Sequence, residues 1–192
     1  MGRLCAIGVQ PMKRDRYEDL TKKELKLSYR RANFMDVPLI FQLLLEGAED
    51  GSFSDVFVTR TGSRKLFGVI FRGIATQLFQ AKNTNSQYEW QVISNDDGVE
   101  VGFLKVCKGR GVCKDSHLEL FAISPAHRNQ GLGTAVLENI GSEVPGDGHL
   151  YVHCTKYARA MQHILKRHGM KRNTRFGAPR VEEYKSHWRE ST

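Results

Sequence analysis

The chain has 192 residues, 40% of them apolar and 26% charged, which suits a single domain that buries its own core. No apolar run approaches the ~18 residues of a membrane span, and the N-terminus, broken by Gln10-Pro11 and then strongly charged, lacks a signal peptide's apolar segment and cleavage site. A soluble, cytoplasmic protein is expected, with reduced thiols and no metal, because the cysteines at 5, 107, 113 and 154 make no Cys-x-x-Cys and the histidines no His-Glu-x-x-His.

The net charge of +8 is concentrated at the ends. Residues 1–31 hold nine Lys/Arg against four Asp/Glu, residues 32–155 ten against fourteen, and residues 156–192 ten against three. Such ends suit an anionic macromolecule, RNA or an acidic protein. The plainer reading is a solvated surface that also attracts a ligand's phosphates, since no aromatics interleave with the basic residues as in an RNA-stacking surface.

Residues 1–26 show no sustained period and read as a basic arm, followed by one domain over 27–192. Leu27 to Arg31 forms a first strand, and Asp36-Val-Pro38 caps a helix with Ile40, Phe41, Leu44 and Leu45 on its buried side. A loop from Gly47 to Ser54 precedes a helix N-capped by Ser63, in which Phe67, Ile70, Phe71, Ile74, Ala75, Leu78 and Phe79 keep helical spacing. Gly68 and Gly73 inside it each cost about 1 kcal/mol against Ala and mark close packing or ligand approach. Tyr88 to Ile93 and Val99 to Val106 flank Asn95-Asp-Asp-Gly98, a hairpin signal. Lys108-Gly-Arg-Gly111 is an ordinary connection, because no helical pattern follows it.

The stretch around which the rest is organised begins at His117. Side chains alternate to Ile123, with His117, Glu119, Phe121 and Ile123 on one face and Leu118, Leu120 and Ala122 on the other. Pro125 ends the strand near Ser124. Leu132, Ala135, Val136 and Ile140 then mark an amphipathic helix that starts at the glycines of Arg128-Asn-Gln-Gly131-Leu-Gly133. The first turn of a helix leaves N–H groups unpaired at the positive end of its dipole, so this turn is a candidate phosphate site, with Arg128 adding charge. A tight strand-to-helix turn without a ligand is the competing reading.

Residues 118–140 resemble the central motif of the GCN5-related N-acetyltransferases (GNAT), in which a strand and Pro precede Arg/Gln-x-x-Gly-x-Gly/Ala; the likeness extends more weakly from Leu27 to the C-terminus. It implies an α/β fold, α+β in its segregation: a mixed sheet of about six to seven strands, helices on both faces, and a splayed pair of parallel strands forming the acetyl-CoA cleft. It further implies that Arg128, Asn129, Gln130, Gly131, Leu132, Gly133 and Thr134 hold the pyrophosphate of acetyl-CoA. The pantetheine arm would then bond to the backbone of Phe121, Ala122 and Ile123. The two helices after the first strand correspond to the wall of the acceptor site.

Gly146 to Gly148 closes the central helix, Leu150 to Cys154 forms a parallel strand, and a helix with Ala158, Met161, Ile164 and Leu165 ends at Gly169. This part resembles the family's second conserved segment. Arg172 to Phe176 and Val181 to Trp188 supply the last two strands.

The resemblance implies an acyltransferase, an N-acetyltransferase that moves acetyl from acetyl-CoA to a primary amine by direct attack in a ternary complex. The acceptor could be a small amine, a protein amine or an aminoacyl-tRNA. Glu119, near the splayed strand end, is the candidate base, with His117 on the same face as runner-up; a strand carboxylate that merely pairs with Lys or Arg is the plain reading of Glu119. The family's usual acid, a Tyr four residues before the helix-ending Gly, is Leu165 here, and the Asn seven residues before that is Ala158. Tyr157 is the substitute candidate. That departure leaves room for a non-catalytic acyl-CoA-binding or partner-binding module, and a second copy of the chain, as a homodimer, is a further candidate partner.

Overall fold

The computed structural model describes residues 25–79, 88–109, 114–145, 147–172 and 181–186. The basic arm ahead of residue 25 lies outside them, as do residues 173–180. In chain order the elements are β1 (Ser28–Arg31), α1 (Val37–Glu49), α2 (Arg60–Phe79), β2 (Tyr88–Ser94), β3 (Glu100–Cys107), β4 (Ser116–Ile123), α3 (Leu132–Ser142), β5 (Leu150–Thr155), α4 (Arg159–Arg167), β6 (Lys171–Arg172) and β7 (Val181–Lys185). The strands form one mixed sheet of order β1-β2-β3-β4-β5-β7-β6, antiparallel except where β5 lies parallel to β4.

Each face of the sheet carries its own core. Ile40, Leu44, Ile70 and Ile74 of α1 and α2 pack with Trp90, Val92 and Phe103 on one face. Val136, Leu137 and Ile140 of α3 and Leu165 of α4 pack with Leu104, Leu118, Leu150 and Val152 on the other. Helices therefore cover both faces, and the line where β4 meets β5 runs between the two cores.

The helix starts differ in detail from the sequence reading. Asp36 does not cap α1 with its side chain. Its carboxylate accepts two 2.7 Å hydrogen bonds from Arg30 and one of 2.7 Å from the Asn33 N–H, closing a capping box on the preceding 3-10 turn. Helix α2 begins three residues before Ser63, because the Thr59 hydroxyl oxygen accepts from the Gly62 N–H at 3.0 Å and does the capping instead. The expected apolar face of α2 is also rotated. Leu66, Ile70, Ile74 and Gln77 are buried, whereas Phe67, Phe71, Leu78 and Phe79 are exposed. Gln77 fixes that rotation: its amide oxygen accepts from the Trp90 N–H at 2.6 Å and its amide nitrogen donates to the Ala32 and Trp90 carbonyls.

The last two strands are shorter in the described residues than their sequence patterns, and the Phe176 and Trp188 ends lie outside them. No described helix is long and apolar enough to cross a membrane.

Two outcomes follow from this packing. Gly68→Ala meets nothing within 4 Å, and should raise stability by about 0.5–1 kcal/mol; Gly73→Ala puts a Cβ 2.5 Å from the Trp90 indole nitrogen and should destabilise. Urea titration of both variants checks the pair. Burial opposes the charge on Asp36, yet the bonds from Arg30 and Asn33 outweigh it and hold this carboxyl below its ordinary range. Its stabilisation is therefore complete above about pH 4 and fades as pH falls through the lowered value. Asp36→Asn should cost about 1–3 kcal/mol at pH 7 and flatten the acid limb of a stability-versus-pH curve.

Candidate functional site

The site begins with an irregularity in the central strand. On β3, Leu104 and Lys105 pair with Phe121 and Leu120, but the next residue, Val106, pairs with Leu118. Glu119 is thus the extra residue of a β-bulge. One added residue exchanges the faces of everything before it. Leu118 packs with Phe121 and Ile123 on the α3/α4 side, while Leu120 and Ala122 pack on the α1/α2 side. The alternation read from the sequence holds only after the bulge, so Glu119 does not share a face with Phe121 and Ile123. Its carboxylate turns to the α1/α2 side and pairs with Lys105.

Beside the bulge the sheet opens. Strand β5 pairs with β4 only at Ser116, His117 and Leu118, and beyond Leu118 no residue of β4 is paired to β5. The Ser124 N–H donates to the Val101 carbonyl on the β3 side. Alternation back along the strand turns the backbone groups of Ala122 toward β3 and those of Phe121 and Ile123 into the gap. The Ile123 carbonyl there accepts from Arg128 Nε at 3.1 Å.

Pro125 opens a short 3-10 turn, after which Asn129 and Gly131 take positive φ, 61° and 80°. Such a turn curls backbone N–H groups toward one concave side. The first helical bonds run from the Thr134 and Ala135 N–H groups to the Gly131 carbonyl, leaving those of Leu132 and Gly133 at the open helix end. Gly131 needs the absence of a side chain for its φ, and Gly133 for packing, since a Cβ there would lie 3.0 Å from Ile164 of α4. Arg128 reaches from this turn to Asp50 at 3.2 Å and ties it to the end of α1. Burial raises the Asp50 carboxyl, but hydrogen bonds from Ser52 and the charge of Arg128 bring it below its ordinary value.

A cavity of about 770 Å³ lies on the α1/α2 side of the bulge. Its sheet wall is Tyr88 and Trp90 of β2, Lys105 of β3 and Glu119 of β4, and its helix wall is a stripe of α2 from Lys65 through Arg72 to Gln77. The Lys105 ammonium stands over the rings of Tyr88, at 5.1 Å, and Trp90, at 5.5 Å. The nearby Glu119 charge, then Cys107, raise the Tyr88 phenol above its ordinary value.

The sequence-derived residues do not all meet in one place. Arg128 to Thr134 form the turn, and Phe121 and Ile123 line the gap. Glu119 joins the bulge to the cavity. His117 stacks on Tyr151, ring centroids 4.9 Å apart, over the still-paired part of β4 and β5. Tyr157 is apart from these, 61% exposed and packed against Gly51 beside α1, with Lys156 over its ring. Lys105, Tyr88, Trp90, Lys65 and Arg72 were not singled out from sequence. The α2 residues carried a readable signal, since Lys65, Arg72 and Thr76 recur on one stripe opposite the apolar one. The strand residues carried none, because their meeting depends on the bulge. Among the described residues no group of three His, Cys, Asp or Glu could hold a metal ion.

The profile of the acetyltransferase (GNAT) family matches residues 72–170, just over half of the chain. A comparison with curated proteins finds no match. Among solved structures, an acetyltransferase from Thermus thermophilus superposes with TM-score 0.63 at 17% identity, covering 84% of this chain and 97% of that one. The Vibrio cholerae spermidine N-acetyltransferase in complex with CoA and spermine gives 0.58 at 11% identity, covering 83% and 94%. RimL, a ribosomal L7/L12 alpha-N-protein acetyltransferase in complex with coenzyme A, gives 0.59 at 14%, covering 83% and 93%. At these identities the likeness is one of fold.

The turn makes its own test. Gly131→Val forces a β-branched residue to φ 80°, and should weaken coenzyme A binding at least about tenfold by calorimetry, equivalent to ~1.4 kcal/mol. Circular dichroism of the variant should retain the native helix signal.

Proposed function

The chain belongs to the acetyltransferase (GNAT) family, and we propose that it acetylates a primary amine at the expense of acetyl-CoA, with Glu119 as the base that frees the amine for attack. Acetyl-CoA would supply the thioester-activated acetyl group; the remaining tasks fall to the chain. The gap-facing backbone of Phe121 and Ile123 and the turn at Arg128 to Thr134 bind the donor. The cavity on the other side of the bulge takes the acceptor. The observation that carries the reading is the position of Glu119, which lines that cavity while standing in the strand that borders the gap.

Transfer requires the amine nitrogen to bond to the thioester carbon as the carbon–sulfur bond breaks. Glu119 takes the proton that the nitrogen loses, and the cation of the incoming amine replaces Lys105 as its partner. His117 is the second candidate base; its ring stacks on Tyr151. The leaving thiolate, of ordinary pKa about 8.5, departs without an obligatory acid. Solvent or Tyr157 then donates the proton that makes it the free thiol. The domain that performs this starts at about residue 27, with the basic arm outside it.

A second reading, a module that binds acyl-CoA without turning it over, draws on Leu165, which is fully buried in the core where many relatives hold a tyrosine. Label transfer from acetyl-labelled acetyl-CoA to the protein, RNA and small-molecule fractions of a lysate separates the two. Under the transferase reading, Glu119→Gln should lose about 10²–10⁴ in rate with coenzyme A affinity nearly unchanged, and Tyr157→Phe less than about tenfold. Equal labelling by wild type and Glu119→Gln would remove Glu119 from the chemistry.

A further inference from the structure

The charges around the cavity define the chemistry of the acceptor. Helix α2 has 20 residues, four of them Arg or Lys and none Asp or Glu. Two of those cations, Lys65 and Arg72, line the cavity, seven residues apart and so about two turns, or ~10 Å, along the axis. Neither has a carboxylate partner among the described residues. Between them the wall is Gly68 and Val69; a Cβ at Gly68 would meet nothing within 4 Å, so a ligand can approach the helix backbone there, beside the Val69 side chain, with a cation on either side.

The opposite wall carries one carboxylate, Glu119, and it is already matched by Lys105. The lining therefore holds three cations against one anion. A site for a polycation would need the reverse balance, because bringing a diamine or polyamine past Lys65 and Arg72 sets like charges together. The aromatic faces of Tyr88 and Trp90 supply an apolar floor between the two polarities.

Resting on the acceptor assignment made above, we propose that the acceptor is a small amine whose far end is anionic, a carboxylate or a phosphate. Its amine end replaces Lys105 at Glu119, and its anion lies between Lys65 and Arg72. The volume of about 770 Å³ accommodates a ligand of small-molecule size.

The test uses the full chain carrying Trp188→Phe, which leaves Trp90 as the sole tryptophan and a reporter inside the cavity. The probes are 4-aminobutyrate, 6-aminohexanoate and O-phosphoethanolamine, against butylamine, hexylamine and 1,4-diaminobutane. Each is titrated by Trp90 fluorescence and assayed for acetylation with acetyl-CoA. The anionic amines should bind at least about tenfold more tightly than the matched alkylamines, the sum of two partly screened ion pairs, and the diamine most weakly. Arg72→Glu with Lys65→Glu should invert the order in favour of the diamine. The carboxylate and phosphate arms identify which anion is preferred.

Equal affinity for all three classes, or preference for the diamine by the parent protein, overturns the inference. Preferential binding of anionic amines without acetylation of any probe upholds the charge assignment and counts against the transferase reading instead. An order that survives the double charge reversal also overturns the inference, by moving the anion away from α2.

Discussion

The site depends on a single extra residue in a strand. Without the bulge at Glu119, strict alternation would keep this carboxylate on the α3/α4 side with Phe121 and Ile123, against an apolar core. With it, the residues after the bulge keep the faces that close both cores, and a charged side chain reaches the α1/α2 side where Lys105 compensates it. A lone carboxylate in the core would carry a heavy desolvation cost. The bulge thus resolves a conflict between packing and polarity, and it does so beside the point where β5 leaves β4.

That departure has its own local causes. Strand β4 ends at Ile123, two residues before Pro125, and Arg128 folds back to donate to the Ile123 carbonyl while holding Asp50. Thr155, at the end of β5, donates instead to the Gly51 carbonyl in the loop after α1. Both strand ends are therefore anchored to the same loop rather than to each other. The glycine turn and the α1 loop form one connected edge around the gap, built from polar side chains that replace the missing ladder.

The fold was largely legible in the sequence because its signals are periodic or local. The strand, Pro125, the paired glycines and the helical repeat from Leu132 each have a short-range cause, and β2 to β5 follow from β-forming runs and turn residues, whereas β6 shares only Arg172 with the run read from sequence. What stayed hidden is non-local. Whether α2 turned Phe71 or Leu66 inward was decided by Gln77 reaching Trp90 and Ala32, a contact 13 residues away in one direction and 45 in the other. The face of Glu119 was decided by the register of β3, and alternation alone assigned it to the other side. Leu165 was legible in both respects: its spacing marked it as core, and it is fully buried.

The most direct measurement is a crystal structure of the chain with acetyl-CoA bound. In that crystal the pantetheine arm should lie in the gap beyond Leu118, the thioester carbonyl against the backbone of Phe121, and Glu119 should face the acetyl carbon from the cavity directly or through one water. A thioester held elsewhere, or the gap closed with the donor bound at another surface, would contradict the bulge as the organising feature of the site.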